Sequence, residues 1–205
     1  MSQHLFVGPH NLLVEGTSDF TYLTVVSDHL REQGRAHLDE RWRVLPAGGA
    51  QNIPAFVALL GRKLDVTIFI DSNNTGMQRL HAFADRGLLA ANRLIAVGEL
   101  TKTREADMED VFTVEDYLIL YNAAFDASIT GGDLPPGTRI VKRLAALQGD
   151  EDFDPGKPAD HLLRNRLDLT DTMSAVTLER FEALFERINT TLDEAVTPTL
   201  PEHRR

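Results

Sequence analysis

Val66-Thr67-Ile68-Phe69-Ile70-Asp71 decides the fold: five consecutive apolar or β-branched residues, then a carboxylate. A run of that length, bounded by a polar turn, is the pattern of a strand buried on both faces. Asn73-Asn74-Thr75-Gly76 then reads as a loop and Met77 to Arg86 as a helix. Upstream, Asn11-Leu12-Leu13-Val14-Glu15 repeats the pattern of an apolar run ending on an acid, here before Gly16. Ser18 or Asp19 is expected to cap the next helix, which carries Phe20, Tyr22, Leu23, Val26 and Leu30 and closes at Gly34. Arg43 to Ala47 reads as a further strand, Gly48-Gly49 as a loop, and Gln51 to Leu60 as a helix with Pro54 in its first turn. Arg93 to Val97 is the fourth strand. Strands alternating with helices predict an α/β fold with a parallel sheet covered on both faces and right-handed crossovers.

Beyond Gly98 the pattern changes. Thr113 to Phe125 reads as a helix with Val114, Tyr117, Leu118, Tyr121 and Phe125 on one side, a packing stripe more than a base-stacking platform. A loop with two glycines and two prolines follows over Gly131 to Gly137. Arg139 to Leu147, Lys157 to Arg166 and Met173 to Leu192 are further helices, with no strand among them. The expected division is an α/β unit over residues 1–112, a helical unit over 113–196 and a frayed tail over 197–205.

Composition narrows the function. The 205 residues are 42% hydrophobic and 25% charged, enough for a real core. With 31 acids against 21 bases the net charge is −10, which excludes a simple basic nucleic-acid sleeve. It leaves a nuclease open, because divalent cations reverse the local field of an acidic site. There is no cysteine, so disulfides, Cys–zinc sites and thiol nucleophiles are excluded. The seven histidines show no metal spacing. No apolar run approaches the ~20 residues of a membrane span, and Met1 to His10 has no secretion signal. A cytoplasmic location without a membrane partner is therefore expected.

In an open parallel sheet, chemistry belongs at the carboxyl ends of the strands. Glu15 ends the first strand and Asp71 the third, and Asp19 lies one helical turn beyond Glu15. Hard cations such as magnesium and manganese take oxygen ligands, which such acids supply. Singly, Asp19 reads as a helix cap and Glu15 as a solvated strand end; together with Asp71 they point to a site. Glu105, Asp107, Glu109 and Asp110 form a second acidic cluster. If that stretch is extended, Asp107 and Glu109 share a face. The alternative is a solvated loop, though Met108, Val111 and Phe112 anchor it.

These residues carry a likeness. Val14-Glu15-Gly16-Thr17-Ser18-Asp19 resembles the Glu-Gly motif of Toprim domains, and Ile70-Asp71-Ser72-Asn73 resembles their Asp-x-Asp motif. Within that superfamily the chain is most similar to the OLD (overcoming lysogenisation defect) endonucleases. Ala47-Gly48-Gly49-Ala50-Gln51-Asn52-Ile53 resembles their Gly-Gly-x-x-Asn segment, and Asp107-Met108-Glu109-Asp110-Val111-Phe112 their Asp-Ile-Glu-Asp-Leu-Phe segment, continued by Tyr117, Leu118 and Asn122. Lys157-Pro158-Ala159-Asp160-His161-Leu162-Leu163 resembles a late lysine-containing helix. The likeness spans about Leu12 to Asn165.

The resemblance implies a divalent-metal-dependent DNA endonuclease with two Mg2+ or Mn2+ sites. Glu15, Asp19 and Asp107 or Glu109 would hold one cation; Asp71, Ser72 and Asn73 would hold the second. Glu15 and Asp71 would be catalytic, with Lys157, or else Arg164, neutralising the phosphate if its helix folds over the sheet rim. Lys157 otherwise reads as a solvated lysine at a helix start. Gly48 and Gly49 would admit a phosphate or simply turn the chain. Two departures stand out. Asn73 replaces an expected aspartate, which weakens the second cation's Coulomb attraction. No Gly-x-x-x-x-Gly-Lys-Ser/Thr occurs, so the chain has no nucleotide site of its own. The resemblance then leaves two arrangements, a stand-alone nuclease domain or the carboxy-terminal half of a longer protein with an ABC-type ATPase region amino-terminal to it, through which it could oligomerise; the half is the expectation. Alternatives are a small ribonuclease, a primase- or topoisomerase-like enzyme, a module that binds metal or DNA without cutting, and a receiver-type domain phosphorylated on Asp71, which the helical carboxy-terminal half disfavours.

Overall fold

A computed structural model describes residues 8–60, 64–72, 80–82, 84–87, 89–149 and 154–192. Four parallel strands, β1 (His10–Val14), β2 (Trp42–Pro46), β3 (Asp65–Ile70) and β4 (Leu94–Ala96), form one sheet in the order β2-β1-β3-β4. β1 runs down the middle, with Leu12 opposite Val44 on one side and Thr67 on the other. β4 joins through Ile68–Leu94 and Ile70–Ala96. The expected alternation and parallel pairing are present. Asn73, residues 77–79 of the expected third helix and the expected tail lie outside the described residues; residues 80–82 and 84–85 are helical.

The period of two along each strand sorts the core into two layers. Leu12, Val14, Phe69 and Ile95 face one way, towards α1 (Thr17–Glu32). Leu13, Ile68, Ile70 and Leu94 face the other, towards α2 (Ile53–Leu60), where Leu80 and Leu89 join them. The first layer is much the larger, because every later helix adds to it. After the short α3 (Val97–Thr101) come α4 (Val114–Phe125), α5 (Ile140–Gln148), α6 (Gly156–Arg164), α7 (Arg166–Thr170) and α8 (Ala175–Thr190). Tyr117, Tyr121, Leu144, Leu162, Phe181 and Phe185 are wholly buried beside Tyr22 and Leu23 of α1. The helical segment thus shares one continuous core with the sheet.

Polar ties fix the helices in place. Asp116 of α4 accepts both the Ser174 main-chain N–H (3.1 Å) and its hydroxyl (2.6 Å) at the start of α8. Thr177 Oγ1 accepts the Thr113 N–H at 2.9 Å. Thr67, on the buried face of β3, meets the Thr191 hydroxyl at 2.9 Å. The packing stripe on α4 is as expected, with Tyr121 stacked on Phe125 at 4.7 Å between centroids.

Several expectations need correcting. Gly16, not Ser18 or Asp19, is the cap of α1; Asp19 is the third helical residue, and its carboxylate reaches back to accept the Gly16 N–H at 2.8 Å. Met108–Val111 is a 3-10 turn, not an extended segment. Its chain reversal is closed by Asp110, which accepts the Asp107 N–H at 2.8 Å. α3 and α7 were not expected at all: both span five residues, too short for a hydrophobic period to show. Among the described residues no helix is long and apolar enough to cross a membrane.

Candidate functional site

β1 and β3 are neighbours, so the residues that follow their last buried positions come together at the carboxyl edge of the sheet. The Asp71 main-chain N–H donates to Glu15 Oε1 at 3.0 Å, stitching the two strand ends through a side chain. Asp71 Oδ1 in turn accepts the Met108 N–H at 2.9 Å, and the Ser72 N–H donates to the Ala106 carbonyl at 2.8 Å. These bonds hold the 3-10 turn against the end of β3, so Asp107 and Glu109 arrive at the same rim. Asp19, one helical turn along α1, completes the group. Asp19, Asp107 and Glu109 are all buried.

The electrostatics report the crowding. Burial pushes the Glu109 carboxyl up to about 8, with Asp19 and Asp107 adding repulsion. Burial raises Glu15 to about 7, opposed by the Asp71 N–H and reinforced by Asp19 and Asp107. Asp19 rises to about 6, again first by burial. Asp71 is raised well above the usual carboxylate range by burial and then by Glu109, Glu15, Asp19 and Asp107. Each acid is felt by the others, the signature of like charges gathered in one low-dielectric place. The wholly buried hydroxyls of Tyr22 and Tyr117 also lie within electrostatic reach of Glu109, without a hydrogen bond of ordinary geometry.

Among the described residues one cation is paired with an acid of this group, and the sequence reading did not find it. Arg139 grips Asp107 through both guanidinium arms, Nε to Oδ2 at 2.8 Å and a terminal nitrogen to Oδ1 at 2.5 Å. The local cause is Asp110, whose Oδ1 accepts the Ile140 N–H at 2.8 Å and so pins the start of α5 to the 3-10 turn. Arg139 stands 32 positions from Asp107 in sequence, and no local motif marks such a pairing. The one usable signal was the surplus of acids, which calls for a counter-charge.

Other expected residues fall elsewhere or serve differently. Lys157 is exposed, its ammonium 5.0 Å from the centre of the Phe125 ring. Phe125 lies eight residues past Tyr117 on α4, about 12 Å along the axis at ~1.5 Å per residue. The helix bearing Lys157 packs on α1 and α4, and the contact made by the Lys157 ammonium is with the Phe125 ring rather than with a rim carboxylate. Arg164 is exposed in the last turn of the same helix. Ser72 is at the rim, but its hydroxyl accepts the Gly98 N–H at 2.6 Å. Gly98 permits that approach: a Cβ there would stand 2.3 Å from the Thr103 carbonyl oxygen. Gly49 has φ of 119° and donates its N–H to the Glu15 carbonyl at 2.7 Å, so the turn it makes buttresses the Glu15 backbone. Glu105 is exposed and takes no part.

Among the described residues no three acids or histidines are already spaced to hold one ion. The donor set nonetheless suits a hard cation: oxygens only, largely desolvated, and repelling one another until a positive charge arrives. Beside Glu109 opens a cleft of about 430 Å³, lined also by Asp110, Phe112, Thr113, Ile140 and Arg180. Comparison with protein-family models, with curated proteins and with solved structures gives no match to this chain.

Proposed function

We propose that this chain is a divalent-metal-dependent DNA endonuclease domain of Toprim type, similar to the nuclease half of an OLD-family protein. One observation carries the reading. Glu15, Asp19, Asp71, Asp107 and Glu109, from three separate segments, share the carboxyl rim of a parallel sheet, and burial beside the other acids raises Glu15, Asp19, Asp71 and Glu109. In this reading Glu15, Asp19 and Asp107 or Glu109 hold one Mg2+ or Mn2+, and Asp71 with Ser72 and Asn73 holds the second. Two cations held there would supply the charge that activates a water at neutral pH and stabilises a leaving oxygen. The chain's own part is to orient: the Glu15–Asp71 and Asp71–Met108 bonds fix the strand-end carboxylates, and the buried floor at Tyr22 and Tyr117 keeps water from the far side of Glu109. DNA is the substrate, and an ABC-type ATPase region in a longer protein is the partner implied.

A tyrosine-nucleophile mechanism of topoisomerase kind is disfavoured, since Tyr22, Tyr117 and Tyr121 are all wholly buried. A module that binds cations without cutting is favoured by one observation, the capture of both Asp107 oxygens by Arg139.

Supercoiled plasmid incubated with purified protein distinguishes these. Nicked and then linear product with Mn2+ or Mg2+, none with chelator and no relaxed, religated topoisomers is the expected result. Asp71→Asn keeps an acceptor for the Met108 N–H while removing the charge, and should slow nicking on the order of a hundredfold or more. Saturable cation binding with no cleavage would turn the reading to the non-cutting module.

A further inference from the structure

Asp107 belongs to the acidic rim, yet both its oxygens are already held. Its side chain is 5% exposed and that of Arg139 22% exposed, so the pair is largely shielded from water. Arginine keeps its charge at any ordinary pH. It therefore leaves Asp107 only by moving, never by losing a proton. The place to which it can move is adjacent: its neighbours Thr138 and Ile140 line the cleft that also opens on Glu109 and Asp110.

We propose that Arg139 is the resident counter-ion of the rim and competes with a divalent cation for Asp107, so that cation entry releases the guanidinium into the cleft beside Glu109. This rests on the reading of the rim as a cation site. The physics favours exchange. A guanidinium carries one charge spread over three nitrogens, whereas a divalent ion carries two and approaches oxygen to about 2.0–2.2 Å. Coulomb attraction scales with charge over distance, and the ion also draws on Glu15, Asp19 and Glu109, which the arginine fork does not reach in this arrangement. Competition of this kind lowers apparent cation affinity by the fraction of molecules in which Asp107 is free. It also keeps the rim neutral enough to fold before a cation is found, and afterwards leaves a positive group beside the cations, where a phosphate would lie.

Calorimetric titration of Mn2+ into the whole chain and three variants tests this. Arg139→Gln should tighten Mn2+ binding on the order of tenfold, within the usual range of coupling between competing sites. In an Asp107→Asn background the same change should alter affinity by less than about threefold, since the contested carboxylate is gone. Arg139→Lys retains the charge without the fork, is the milder test of folding, and should show a smaller gain in the same direction. Unchanged affinity in Arg139→Gln, or an equal gain in the Asp107→Asn background, would overturn the proposal; the latter would make Arg139 merely a nearby repelling charge. If no version binds Mn2+, the cation reading falls with it. If the tightening is present but plasmid is never nicked, the competition stands and the nuclease reading fails.

Discussion

Two of the arginine–carboxylate forks among the described residues share a geometry and differ in their electrostatic surroundings. Arg35, just after α1, meets Glu182 of α8 at 3.0 and 2.8 Å. There the pair is balanced: the Arg35 hydrogen bonds hold Glu182 below the usual carboxylate range, and Glu182 holds Arg35 above the usual guanidinium range. It is a staple between two helices of the large core, and nothing around it asks for more charge. At the rim, the Arg139–Asp107 fork stands among Glu15, Asp19, Asp71 and Glu109, all of them raised. One guanidinium does not neutralise that group. Buried surplus charge is costly, so a fold that keeps it has a use for it beyond stability.

The largest expected contrast comes from Glu109. Glu109→Gln removes the acid raised to about 8 without emptying its volume. Mn2+ affinity measured by calorimetry should fall on the order of 10- to 100-fold, while the chelator-treated protein melts at a higher temperature than its parent. A variant that melts lower and binds equally well would place Glu109 in the scaffold and not in the site.

Next in size is the pH dependence of the chelator-treated protein. Glu15, Asp19 and Glu109 bind protons more tightly folded than unfolded, at about 7, 6 and 8. Where the folded state holds more protons, stability falls as pH rises. The loss therefore spans the window from the ordinary carboxylate range near 4 up to about 8. Melting temperature should decline from pH 5 to pH 8, and saturating Mn2+ should abolish the decline. A melting curve flat across that range would remove the surplus charge from the account.

The Arg35 staple sets the scale for an ordinary pair. Arg35→Met should cost about 1 kcal/mol, because both side chains are partly exposed and screened. On a chain of this length that is roughly 2–4 °C of melting temperature, and it should be indifferent to Mn2+. Cation sensitivity there would dissolve the distinction between the two forks. The smallest effect concerns Asn73, outside the described residues. Asn73→Asp should strengthen Mg2+-dependent nicking relative to Mn2+, by restoring a carboxylate to the second cation. Equal activity in the two metals, unchanged by the substitution, would take position 73 out of the ligand set.

The strands were legible because a buried parallel strand writes its apolar residues consecutively, and Leu12–Val14 and Val66–Ile70 do so. Glu15 and Asp71 were legible as acids placed where a strand stops. Asp107 and Glu109 stand at the rim by way of a 3-10 turn tied to Asp71 through Met108, and not by sharing a strand face as the spacing suggested. Arg139 was illegible because its role is set by Asp110 holding Ile140, a contact 30 residues apart in sequence. The place of Lys157, over the Phe125 ring, is likewise set by a contact remote in sequence.

On the proposed function, the rim is short of positive charge and takes a divalent cation to supply it. Thermal melting at pH 8 with increasing Mn2+, run beside Asp71→Asn, tests it most directly. At a hundred times the dissociation constant a cation binding only the folded state adds about 2.7 kcal/mol, or roughly 5 °C or more here. A saturable rise of that size is expected in the parent and a much smaller one in Asp71→Asn. A melting temperature that does not respond to Mn2+, or responds equally in both proteins, would contradict it.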